Sequence, residues 1–211
     1  MSPVLPPTVM TVLLIVANLL GATMALPQAV RLIRTGRCEG LSGPWAGLSL
    51  AMNLWWLSYG LAERVWGLVP VSAVGAAVYA LIVVTWIRLR GWGELRAVSL
   101  GAAVGLFPLP FLLVGGWFLA GLAIGAGYGV QLAPAVLATF RTRDLRGVAA
   151  GMWLMAWVEA AIFLLYGITI VDGTLLIGGA SGVALSTAVL ARLAVTGHRP
   201  FRVARPAWAL G

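Results

Sequence analysis

The sequence predicts an all-α integral membrane protein with seven transmembrane helices. Two parallel three-helix repeats are joined by a linker helix (3+1+3), with the N-terminus outside and the C-terminus cytoplasmic. Three observations predict it. Of the 211 residues, 61% are hydrophobic and 9% are charged, more apolar surface than a soluble core of this size can hide, so lipid is the solvent for most of the chain. The apolar runs match the ~20 residues that a helix needs to cross the hydrocarbon layer. A series of special residues also recurs at a fixed offset of 107 positions.

Seven apolar segments run near 9–30, 44–62, 67–87, 97–114, 117–139, 148–170 and 174–194. The first follows "MSPVLPPT", which lacks the basic start and small-residue cleavage site of a signal peptide, so it is expected to remain as a span. The fourth carries "LFPLPF", with Pro108 and Pro110, and a Gly115-Gly116 link short enough to dock it near the fifth; it reads as a connector. The fifth carries Gly121, Gly125 and Gly129, a small-xxx-small row that predicts a close helix contact. The expected organisation is one membrane domain over 1–211. It comprises repeats at 9–90 and 117–195, a linker helix at 96–115 and a cytoplasmic tail at 196–211.

Arginine sets the orientation. All fourteen basic residues are arginine, and thirteen fall in loops that alternate along the chain. Arg31, Arg34 and Arg37 follow span one, and Arg88, Arg90 and Arg96 follow span three. Arg141, Arg143 and Arg146 follow span five; Arg192, Arg199, Arg202 and Arg205 follow span seven. Positive loops stay cytoplasmic, which puts the N-terminus outside. The expected location is the plasma membrane, as a multi-pass protein of a bacterial inner membrane. The basic tail reads as snorkelling and topology-fixing rather than as a lipid-specific site.

The same inventory excludes several functions. The arginines form short clusters with no continuous basic face, which argues against nucleic acid. Cys38 and His198 are the only cysteine and histidine, so neither a His/Cys metal site nor a Ser-His-Asp site can be assembled in the membrane. Without a lysine there is no retinal Schiff base. No nucleophile–base pair marks an enzyme and no polar ring marks a channel. No cofactor is expected; the expected partners are a small-molecule substrate and membrane lipid, and a homo-oligomer stays open.

Superposing the chain on itself at the 107-residue offset aligns Pro27 with Pro134, Arg34-Thr35 with Arg141-Thr142, Gly40 with Gly147, and Tyr59-Gly60 with Tyr166-Gly167. Each proline removes a helical hydrogen bond near the cytoplasmic end of its span and weakens the helix there. Two such joints at equivalent positions predict a pair of hinges.

The stretch "LPQAVRLIRTG", with Gln28, and the stretch "WLSYG" resemble the PQ motif and the W-x-x-Y-G signature of the PQ-loop superfamily, in particular the SWEET and SemiSWEET sugar transporters. The resemblance covers nearly the whole chain. It implies hinge prolines at Pro27 and Pro134 in the first helix of each half and at Pro44 in the second helix. It implies pocket aromatics at Trp56 and Phe163, ahead of Tyr59-Gly60 and Tyr166-Gly167. Where that family carries a sugar-binding asparagine in its third helix, this chain has Ser72 and Gly179.

Independently of any family, Glu159 sits near the middle of span six, where a charge costs ~2.5–3.5 kcal/mol on insertion scales and should face the bundle interior. It shares a helix face with Phe163, as Asn53 does with Trp56. Three roles compete for it: binding a proton or a cationic group, hydrogen bonding to a polar substrate, or resting as a neutral carboxyl satisfied by a neighbouring helix. Asn53, Trp56, Ser72, Glu159 and Phe163 are therefore the predicted substrate-binding residues. The predicted function is facilitative, alternating-access transport of a small polar solute, a sugar above others. The alternatives are a proton-coupled exporter of amino acids or other polar metabolites using Glu159, and a non-transporting membrane sensor or accessory protein.

Overall fold

A computed structural model describes residues 5–36, 38, 41–141, 145 and 148–196. Arg37, Gly40, Thr142, Arg143, Arg146, Gly147 and the tail 197–211, with His198, Arg199, Arg202 and Arg205, lie outside the described residues. The helices are α1 (Pro7–Thr35), α2 (Gly43–Ala62), α3 (Val69–Arg90), α4 (Leu95–Val104), α5 (Leu109–Arg141), α6 (Ala150–Ile170) and α7 (Gly173–Val195). No strand occurs among the described residues.

Local chemistry explains where these helices begin and end. The Ser42 hydroxyl caps α2 by accepting from the Trp45 N–H at 3.3 Å, and Asp172 Oδ1 caps α7 by accepting from the Leu175 N–H at 2.8 Å. Gly36 ends α1 in the left-handed region that glycine adopts without strain.

Among the described residues, five helices are long and apolar enough to cross a membrane: α1, α3, α5, α6 and α7. Their outward faces carry large exposed aliphatics, such as Val12, Ile15 and Leu19 on α1, which marks a membrane protein. α2 has the length of a span, at 20 residues, but its tryptophans, Tyr59, Asn53 and serines lower its hydropathy. The segment predicted as span four is two pieces, α4 and the first turns of α5, separated at Gly105–Pro108. The broken backbone is compensated: Trp55 Nε1 donates to the Gly105 carbonyl at 2.9 Å. α4 packs against α2, and Phe107, between the two pieces, reaches Gly127 of the fifth span. The corner at Gly115-Gly116 is sharp, and Gly116 has φ 61° and ψ −157°, a region essentially reserved for glycine.

The packing order repeats. α3 touches both α1 and α2, and α7 touches both α5 and α6; across the middle, α1 packs on α6 and α5 on α2. Backbone detail repeats at the 107-residue offset as well. Among the described residues, Arg64 and Val171 are the two non-glycine residues with positive φ, at 57° and 56°. Each follows the end of the second helix of its triplet, and each is flanked by a matching hydrogen bond: Val65 N–H to the Gly60 carbonyl at 2.8 Å and Asp172 N–H to the Gly167 carbonyl at 2.9 Å. The predicted glycine row is a close contact with α7. A Cβ on Gly125 would lie 2.6 Å from the Thr174 carbonyl oxygen. At the equivalent place in the first half, Asn18 Nδ2 donates to the Gly67 carbonyl at 2.9 Å.

Candidate functional site

The apolar cores differ between the two ends of the bundle. At the end where Arg64 is the one arginine among the described residues, one buried cluster draws on both triplets, with Ala17, Met52, Tyr59 and Leu68 from one and Ile124, Phe163 and Leu175 from the other. At the arginine end each triplet has its own core. Ala29, Leu32, Ala46, Val78 and Ile82 form one, and Val136, Trp153, Val189 and Leu193 belong to the other. The halves are thus welded at one end and separate at the other, and a cavity of about 380 Å³ lies between them.

The cavity runs from Leu68 and Leu175 at the welded end to Gln28, Trp45, Ala135 and Met152 toward the arginine end. Its lining pairs up at the 107-residue offset: Gly21 with Tyr128, Met24 with Gln131, Gln28 with Ala135, Trp45 with Met152, Asn53 with Ala160, Trp56 with Phe163, and Ser72 with Gly179. Equivalent faces of the two triplets therefore look into one space.

All five predicted substrate-binding residues, Asn53, Trp56, Ser72, Glu159 and Phe163, line this cavity, and Gln28 does too. Asn53 Nδ2 donates to the Ser49 carbonyl at 2.8 Å, and its side chain rests against α3 where Gly75 leaves room. The Ser72 hydroxyl donates to the Leu68 carbonyl at 3.0 Å. Trp56 packs on Gly178 of α7 and meets Tyr128 edge to face, with centroids 6.5 Å apart. The Glu159 carboxylate lies over Gly21 of α1, where a Cβ would overlap Oε1.

The other predicted residues sit elsewhere. Tyr59, only 6% exposed, belongs to the welded end, where its hydroxyl donates to Asp172 Oδ2 at 2.7 Å. Gly60 and Gly167 supply the carbonyls of the repeated turns, and Tyr166 packs beside Gly67. Pro27 and Pro134 lie inside α1 and α5, as hinges require. Pro44 differs. It stands in the first turn of α2, where no helical hydrogen bond is lost, so it has no helix interior to bend.

Sequence reasoning missed Trp45, Tyr79 and Trp153 on the walls, which Tyr128 and Gln131 also line. Gln131 does two things: it lines the cavity, and its Nε2 donates to Ser49 Oγ at 3.1 Å. Helical spacing was the available signal, since Trp45, Asn53 and Trp56 share one face of α2, as Ser72 and Tyr79 share one of α3.

Neither a scan against protein-family models nor a search of curated proteins finds a match for this chain. The functional reading therefore rests on the geometry of the cavity and on the quoted motifs.

Proposed function

We propose that this chain is a multi-pass membrane carrier that moves a small polar solute by alternating access, rocking two parallel three-helix repeats joined by a linker around a midplane cavity. One observation carries the reading. A cavity lined by repeat-equivalent residues is sealed at one end by a core shared between the triplets, while the other end has separate cores. Such an arrangement can close at the far end by bringing the separate cores together, and open at the near end by parting the shared one. Pro27 and Pro134 supply a flexible point in the first helix of each triplet. The placement of arginines supports the N-terminus outside, with the open end facing the cytoplasm of a bacterial inner membrane. The quoted motifs support kinship with the PQ-loop superfamily, and a sugar as solute follows from that resemblance alone.

A proton-linked variant of the same carrier has its own support, because Glu159 is the one acid on the cavity wall among the described residues. Reconstitution separates these readings. In proteoliposomes, a carrier exchanges its labelled solute faster when the same solute is present on the opposite side. A panel of sugars, polyols, amino acids and amines is expected to contain at least one such solute. No uptake above empty vesicles for any member would refute transport. Uptake that ignores an imposed pH gradient would refute proton linkage.

A further inference from the structure

The polar groups of the cavity are not equivalent. Asn53, Ser72 and Gln131 are already engaged with backbone or side-chain partners on the wall. Glu159 and Gln28 make no hydrogen bond or ion pair among the described residues, and the Glu159 carboxyl lies against α1 at Gly21, the one group there able to carry a negative charge. Among the described residues, neither an arginine nor a second acid lines the cavity, and the only other titratable groups facing it are the phenols of Tyr79 from α3 and Tyr128 from α5.

The remaining wall is aromatic. Trp45, Trp56, Tyr79, Tyr128, Trp153 and Phe163 surround the space, and Trp56–Tyr128 and Trp45–Tyr79 meet edge to face. Ring faces attract cations through their quadrupoles, most strongly away from water. A carboxyl group in a low-dielectric enclosure keeps its negative charge only beside a positive partner. Both features select for the same ligand. A sugar would find one donor each of Asn53, Ser72 and Gln131 already committed to the wall. A solute bearing a carboxylate would bring a second negative charge to a wall with no cation to receive it.

We infer that the cavity binds a small organic monocation without a carboxylate, an alkyl- or aryl-ammonium, with its charge between Glu159 and the aromatic walls. This names the solute class of the proposed carrier and, as a transported solute, rests on that reading.

Binding is testable without transport. Isothermal titration of the purified chain in nanodiscs would compare choline with 3,3-dimethylbutanol, its uncharged isostere, and with glucose. Choline is expected to bind at least tenfold tighter than either. Glu159→Gln should reduce the choline preference over the isostere to within about threefold while leaving the melting temperature and elution profile intact. A second variant, Trp56→Leu, should weaken choline more than the isostere. The inference is overturned if the isostere or glucose binds as tightly as choline. It is equally overturned if Glu159→Gln keeps the preference, or if choline, tetramethylammonium and phenethylammonium all fail to bind. Vesicle flux distinguishes the two levels: a cation that binds but is never exchanged contradicts the carrier and leaves this inference standing. An exchanged sugar, with no cation bound, does the reverse.

Discussion

Tyr59→Phe removes one oxygen atom and leaves a ring in place. The ring is held by edge contact with Trp117, at 6.4 Å between centroids, and by the shared core, so packing at the welded end survives the change. What is lost is the hydroxyl's bond to Asp172 Oδ2, which joins α2 of one triplet to the start of α7 in the other. The α7 cap is spared, because it uses the other carboxylate oxygen. Hydrogen bonds to charged groups contribute about 1.5–3 kcal/mol. Asp172 is half-buried, which places this one near the lower end. A loss of about 1.5 kcal/mol shifts the ratio of sealed to open welded ends by roughly tenfold. Leu61 and Ile168 are repeat-equivalent and exposed on the same ends of α2 and α6. Spin labels at that pair, in a Cys38→Ser background, should show the long-distance population rise by about that factor. Asp172→Asn keeps a competent cap and should move the distribution the same way. An unchanged distance distribution in both folded variants would refute the idea that this bond holds the end shut.

Three further expectations concern stability. Gly125→Ala drives a Cβ into the Thr174 backbone and should cost about 1–3 kcal/mol, read as a lower melting temperature. Gly93→Ala, with nothing within 4 Å, is the matched control and should change little. Asn18→Ala strips the Gly67 carbonyl of its donor and should cost about 1–3 kcal/mol by the same assay. Val171→Gly should raise the melting temperature. A β-branched residue at φ 56° carries about 1–2 kcal/mol of left-handed strain, only partly offset by glycine's greater freedom in the unfolded chain.

Much of this arrangement was legible because lipid forces simple rules on sequence. An acid in mid-membrane must face the interior, and Glu159 does. The glycines of α5 had to meet something closely, and they meet α7. Pro27, Pro134 and the two Tyr-Gly pairs carried the 107-residue offset because special backbone chemistry tolerates few substitutes. The hidden equivalences are those in which unlike residues solve the same problem. Arg64 and Val171 share a left-handed backbone that neither residue favours. Asn18 and Gly125 approach equivalent carbonyls, those of Gly67 and Thr174, one with a hydrogen bond and one by having no side chain. Span four read as one helix because hydropathy does not register a break whose freed carbonyl is captured by Trp55. Pro44 read as a hinge by family analogy, and only the start of α2 one residue earlier shows why it bends nothing. The cavity walls were half-visible, since an aromatic on a membrane helix faces lipid, neighbour or cavity with the same hydropathy.

The central claim is that the cavity is reached from each face in turn. A single cysteine at Ala156, on the cavity wall, in the Cys38→Ser background would be exposed to an impermeant maleimide applied to one side of sealed vesicles at a time. The account predicts fast labelling from the arginine-bearing side and slower labelling from the opposite side, the latter accelerated about tenfold by Tyr59→Phe. Labelling from the arginine-bearing side alone, with and without that substitution, would contradict it.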